Sequence, residues 1–352
     1  MADWTSAMQQ TFEYYKVDPI SWLDIEKLEG VESCKITWDQ SAETLGSATL
    51  DYSGDLGECY IRAYLSVNQN GNTERFPLAT FLVQTPSISY DGTKRSYSLD
   101  AYTPLIELKE NKPPLGYFTP KNSNVMEEAT LLTDTYARAP IVGGLSDVKL
   151  YKDFVSNTND TWLTYISDMI ANAKFYFSLD EMGRILFAPK QDTNALQPVW
   201  TYTDDNASIL YSDVSLQRDL YDIPNVVEVV YSDSDDTYYS IVVNDDPNSP
   251  VSTVGRGRRI TKRVENPELP GIPTQNMIDE YAEQALRELS TFEYTVKYSH
   301  GYCPVRMGDC VRLNIKSLDL LDIKARVTNQ SIDCSSGCKV TETAVFTKKL
   351  WR

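Results

Sequence analysis

The feature that most restricts this chain is a run of period-two hydrophobicity in its first hundred residues. Ile61, Ala63, Leu65 and Val67 alternate with more polar neighbours, and Cys34, Ile36 and Trp38 alternate with Lys35, Thr37 and Asp39. Side chains that change face at every residue describe a β-strand with one face buried. Asn70-Gly71 separates the run at 61–67 from Phe76–Val83, and that dipeptide is a strong hairpin signal. A second hairpin is predicted from Ser87–Tyr90 and Ser96–Ala101 around Asp91-Gly92. Strands so spaced close naturally into a β-barrel or sandwich of about 100 residues.

The pattern then changes. Pro104, Pro113, Pro114 and Pro120 interrupt it. A helix is predicted to open after Asn124, with Glu127 placed as in a capping box, and to stop before Pro140. Trp162, Leu163, Ile166, Ile170 and Ala173 share a helical face, with Asn159 or Asp160 as the expected cap. Phe175–Leu179 and Arg184–Ala188 flank the turn Asp180-Glu181-Met182-Gly183 as a further hairpin. Strands return at Val226–Tyr231 and Tyr238–Val243, and a helix is predicted after Thr274 with Ile278, Tyr281, Ala282, Ala285 and Leu289 facing inward. Phe292–Tyr298, Val311–Ile315, Ala325–Val327 and Val340–Phe346 read as the last strands. The fold class is therefore α+β and β-dominated, with a β module at 1–104, a mixed α+β module at 105–200 and a second β module with a helical insertion at 201–352.

Charge narrows the function. Fifty acidic against 33 basic residues leave a formal charge of −17, which repels nucleic-acid phosphates and anionic membrane surfaces. No segment approaches the roughly 20 apolar residues of a membrane span, and Met1-Ala2-Asp3-Trp4 does not begin a secretion signal. The 23 tyrosines suit half-buried strand faces and protein contacts, since one end is apolar and the other hydrogen-bonds. The six cysteines, Cys34, Cys59, Cys303, Cys310, Cys334 and Cys338, lack the density of a disulfide scaffold and are expected to stay reduced. Cys334-Ser-Ser-Gly-Cys338 offers a pair or half a metal site, without a second Cys or His pair at zinc-like spacing. No metal or cofactor is expected.

His300 is the one histidine, so any histidine-dependent chemistry must use it; a structural contact at a strand end is the expectation. Ser232-Asp233-Ser234-Asp235-Asp236 lacks the glycine and distant glutamate of a calcium loop and reads as a hairpin turn. The densest basic stretch is Gly255-Arg256-Gly257-Arg258-Arg259 with Lys262 and Arg263. In so acidic a chain, Arg256, Arg258, Arg259, Lys262 and Arg263 are candidates for a contact between subunits.

Three stretches, taken in order, carry a family resemblance. They are Ser47-Ala48-Thr49-Leu50 through Phe76-Pro77-Leu78-Ala79-Thr80-Phe81-Leu82-Val83 to Tyr97-Ser98-Leu99-Asp100-Ala101; Asn159-Asp160-Thr161-Trp162 with Asp180-Glu181-Met182-Gly183-Arg184-Ile185; and Ile278–Leu289 leading to Tyr298-Ser299-His300-Gly301-Tyr302-Cys303-Pro304 and Met307-Gly308-Asp309-Cys310-Val311. In this order the sequence resembles the baseplate hub proteins of tailed phages and phage-like contractile particles, related to the hub part of type VI secretion spike proteins. The resemblance implies two tube-like β-barrel domains per chain and a homotrimer that imitates a hexagon, joining a six-fold tail tube to a three-fold spike. It implies as partners the tail tube or a tube-terminating protein, the spike and other baseplate proteins, with DNA passing through without specific binding. The net charge of −17 adds the expectation that carboxylates line the channel. Such a protein is assembled in the host cytoplasm, resides in the virion tail, is not inserted in a membrane and is not an enzyme. The alternatives are another tail component, such as a distal tail ring or tube initiator, or a carbohydrate-active β protein.

Overall fold

The computed structural model describes residues 2–349 except 55, 91, 94, 206–207, 219–222, 233–236, 268–272 and 290. It divides into two compact units, Met1–Val214 with Tyr298–Ala344, and Ser215–Lys297 with Val345–Arg352.

The first unit opens with β1 (Gln9–Val17), β2 (Asp24–Lys27), β3 (Val31–Asp39), β4 (Gly46–Tyr52), β5 (Tyr60–Gln69), β6 (Asn72–Tyr90) and β7 (Arg95–Tyr102). They pair antiparallel in the order β2-β1-β5-β6-β7-β4-β3. The β5–β6 hairpin turns at Asn70 and Gly71, whose φ angles of 53° and 81° are the two successive positive values that suit strand twist. β5 departs from a half-buried strand: Arg62, Tyr64 and Ser66 are buried along with Ile61, Ala63, Leu65 and Val67. On its other face the turn at 180–183 covers Arg62, which donates to Met182 O, while Asp24, Tyr15 and Arg75 cover Tyr64. Gly183 packs so closely there, at φ 73°, that a Cβ would stand 2.7 Å from the Thr80 side chain.

The chain continues through α1 (Ile106–Glu110), β8 (Phe118–Thr119), α2 (Val125–Tyr136), β9 (Ile141–Val142), β10 (Phe154–Val155), α3 (Trp162–Ala171), β11 (Phe175–Leu179), β12 (Ile185–Pro189) and β13 (Trp200–Thr203). Asn124 caps α2, accepting from the backbone of Met126 and Glu127. The cap of α3 is Thr161, in place of the expected Asn159 or Asp160. Thr161 and Thr164 satisfy one another's backbone N–H groups, while Asp160 accepts instead from the Asn157 amide at 2.7 Å. Trp162, Tyr165, Ile166, Met169 and Ile170 of α3 form a core with Phe177, Ile185, Tyr60 and Leu82.

In the second unit β14 (Ser215–Arg218) pairs antiparallel with Tyr294–Lys297. β15 (Val226–Ser232) is flanked by β16 (Thr237–Val243) and, after α4 (Thr253–Arg256), by β17 (Thr261–Glu265). α5 (Gln275–Leu289) covers this sheet, burying Ile278, Ala282 and Leu286 completely against Val227 and Val229. Leu289, expected inside, is 38% exposed, and Leu286 takes the inward place. The acidic turn Asp233–Asp236 lies outside the described residues.

β18 (Thr291–Gly301) returns the chain to the first unit, followed there by β19 (Cys310–Ile315), β20 (Leu320–Asp333) and β21 (Lys339–Lys349), the last of which continues into the second unit. β20 pairs with β19 along its first half and with β3 along Asn329–Asp333. Tyr302, Ile332, Cys334, Cys338 and Val340 thereby enter one core with Ile36, Leu50, Leu65 and Leu99. Gly308, at φ 94°, forms the tight turn expected of Gly308-Asp309, closed by the Asp309 amide on Arg306 O at 3.1 Å. Antiparallel sheet thus dominates as expected, and no closed barrel is found among the described pairings.

Candidate functional site

The basic stretch is held by a buried asparagine. Asn225, fully buried at the start of the 226–232 strand, donates through Nδ2 to Val251 O (3.1 Å) and Arg258 O (3.0 Å) and accepts from the Ile260 amide (2.7 Å). Ser252 caps α4 by accepting from the Gly255 amide at 2.9 Å, and Gly257 ends it in the left-handed conformation at φ 63°. Of the five predicted contact residues, two are engaged within the unit. Arg256 is half-buried, donates from Nη1 to Ile223 O at 3.1 Å and has its pKa lowered, first by burial and then by Arg258. Arg263 grips Glu228 Oε2 at 2.8 Å, a contact set by the parallel register of β17 on β15. Arg258, Arg259 and Lys262 are exposed. Replacing Asn225 with alanine is expected to cost about 1–3 kcal/mol, since a buried N–H and two carbonyls lose their partners. Urea denaturation measures the cost, and faster tryptic cleavage at Arg258 and Arg259 reports the loosened loop.

His300 occupies the strand-end structural position expected of it, within a wholly buried polar cluster of the first unit. Its Nδ1 lies 2.6 Å from Gly301 O, an acceptor, so Nδ1 carries hydrogen. Nε2 lies 3.0 Å from Tyr202 Oη and 3.4 Å from Glu342 Oε1. Tyr202 donates to Glu342 Oε2 at 3.1 Å, and Gln330 Nε2 donates to Glu342 Oε1 and Val305 O, both at 2.8 Å. Burial works to lower the imidazole pKa, yet hydrogen bonds to Cys303 and Glu342 and the Glu342 charge outweigh it and push it up to about 10. Burial likewise works to raise Glu342, and His300 with Gln330 brings it below the usual carboxylate value. Nδ1 faces a carbonyl and Nε2 faces a hydroxyl that already donates to Glu342, so both ring nitrogens donate and the pair is imidazolium and carboxylate.

Cys303 completes a set that looks nucleophilic on paper. Its Sγ is 3.9 Å from Nδ1, however, and that nitrogen is already committed to Gly301 O. A base for the thiol is missing from this geometry, and the cluster has no solvent-exposed member among His300, Glu342 and Cys303. Its work is to tie the 200–203, 298–305, 320–333 and 339–344 segments together. The sequence singled out His300 but not Glu342, whose signal was present: it sits in phase with the inward Val340, Ala344 and Phe346.

The cysteines are all unbonded, with Cys334 and Cys338 buried. Among the described residues no group of three His, Cys, Asp or Glu side chains could hold a metal ion, and no helix is long and apolar enough to cross a membrane. Apolar side chains stand exposed on the mixed segment, notably Leu115, Leu145, Tyr151 and the cross-strand pair Phe118 and Val155.

No protein-family model matches the sequence, and no curated protein matches it. Solved structures do. A tail protein from Neisseria meningitidis MC58 superposes with a TM-score of 0.63 at 12% identity, over 96% of this chain and 97% of that one. The 43 kDa tail protein of prophage MuSo2 from Shewanella oneidensis gives a TM-score of 0.65 at 10% identity, over 96% and 98%. A Francisella PdpA-VgrG complex gives 0.58 at 10% identity, over 96% of this chain and 52% of that one. The chain shares its fold, nearly end to end, with phage-type tail proteins.

Proposed function

We propose that this chain is a structural baseplate hub of a phage-type tail, a homotrimeric adaptor between a six-fold tube and a three-fold spike. The observation that carries the reading is the superposition on two tail proteins across almost the whole of both chains. The same fold in a PdpA-VgrG complex supports a role in assembly with other proteins. In this reading 1–104 and 201–352 are the two tube-like β modules and 105–200 is the mixed module between them. Three copies then present six similar surfaces to the tube. Arg258, Arg259 and Lys262 make an intersubunit contact on acidic neighbours, with Arg256 and Arg263 supporting the loop. The exposed apolar side chains of the mixed segment face other baseplate proteins. The net charge of −17 keeps DNA from adhering as it passes through the virion tail.

Mass in solution and the position of the chain in particles test the reading. A species of three times 39.9 kDa, and density for three copies at the tube–spike junction, are expected. Six copies in a ring would make it a distal tail ring or tube initiator instead, and a lone monomer absent from particles would overturn the structural reading.

A further inference from the structure

The first unit holds a cavity of about 570 Å³ between α3, β11, β20 and the 40–45 loop, with Met307 and Gly308 at its side. Its floor is apolar: Leu163 and Phe177 are buried, and Leu45 and Met307 line the wall. Two cations border it, Arg326 of β20 and Lys190. Arg326 donates from Nη2 to Tyr176 Oη at 2.6 Å, while its buried Nε has no acceptor. Neither Arg326 nor Lys190 forms an ion pair among the described residues. The carboxylate that also lines the cavity, Glu43, is already paired with Lys109 at 2.8 Å. In a chain with 50 acidic residues, two cations left without carboxylates beside one cavity set it apart from the surrounding surface.

The Arg326 guanidinium lies over the Tyr176 ring at 5.3 Å and bonds its hydroxyl. A buried Nε–H without an acceptor is nonetheless costly, and a carboxylate satisfies it with geometry that suits the fork. An apolar floor beside it selects an adjoining hydrophobic side chain. We propose that this cavity receives an acidic–apolar segment of a neighbouring protein chain. The segment's aspartate or glutamate carboxylate pairs with Arg326 and Lys190, and its apolar side chain rests on Leu163 and Phe177. The inference rests on the structural-hub reading, in which the neighbours of this surface are proteins. It adds the chemistry of the segment that docks.

The test uses the full chain and a panel of fluorescent hexapeptides, each carrying one glutamate beside a leucine, phenylalanine or methionine, with glutamine counterparts. Acidic peptides are expected to bind at least about tenfold tighter than their amides, a difference of about 1.4 kcal/mol. Lys190→Glu, on an exposed side chain, should weaken binding about tenfold. Ser167→Trp, which adds bulk at an exposed cavity position, should abolish it. Equal binding of acid and amide, retained binding in the Ser167→Trp variant, or no binding by any peptide would overturn the proposal. So would N-acetylglutamate binding as tightly as the peptides, which marks a small-anion site. A chain located at the tube–spike junction that fails these assays sinks the pocket alone; peptide binding by a chain absent from particles sinks the hub alone.

Discussion

Glu342→Ala is expected to destabilise the first unit by about 3–5 kcal/mol, because it strands a charged imidazole and the Gln330 amide in a dry core. The pH dependence carries the same signature. His300 has a folded pKa of about 10 against 6.5 unfolded, so its contribution is full below pH 6.5 and is lost as pH rises towards about 10. Over that window the folded chain binds more protons than the unfolded one, and stability must fall with pH. Glu342, lowered from 4.5, contributes above that value and loses its share as pH falls through its folded pKa. Urea denaturation at several pH values, followed by hydrogen exchange of the amides near Cys303, measures both effects. Glu342→Ala should also flatten the alkaline slope, and pairing it with His300→Leu should recover part of the loss. A steep slope persisting in Glu342→Ala would assign the alkaline transition to other groups.

Arg62→Met should be comparably severe, costing about 3–5 kcal/mol. Arg62 is 1% exposed and reaches Asp24 Oδ1 at 2.7 Å, Thr80 Oγ1 at 2.9 Å, Met182 O at 3.1 Å and Trp22 O at 3.3 Å. One planar fork thus serves a carboxylate on β2 and two carbonyls from distant turns, which methionine of similar volume leaves unpaired. Arg62→Lys keeps the charge without the fork, and should restore only part of the stability. Thermal unfolding decides: a methionine variant within about 1 kcal/mol of the parent would mean that the surrounding acceptors find other donors.

These two residues also mark where reading the sequence succeeds and stops. Hairpins around Asn70-Gly71 and residues 180–183, the Asn124 cap and the inward positions Ile278 and Ala282 of α5 were legible, because each rests on local periodicity or turn chemistry. Arg62 looked outward by alternation, and the turn bearing Met182, far along the chain, covers it. Thr161 displaced Asn159 and Asp160 as cap because Thr164 could answer it. The basic stretch was plain from composition, but which cations it leaves exposed depended on the β15–β17 register that gives Arg263 to Glu228. The cavity beside Arg326 was invisible, since the 40–45 loop, α3 and β20 meet only through tertiary packing.

The split allegiance of β20 has a consequence for biosynthesis. Strands β1–β7 leave the ribosome long before Ile332, Cys334 and Val340, which their core requires, and β3 must wait for residues 329–333 to pair with it. High contact order of this kind slows folding and leaves a sticky edge in the nascent chain. Polypeptides released before residue 320 should therefore self-associate, which makes translation to the end a checkpoint on what is available for assembly.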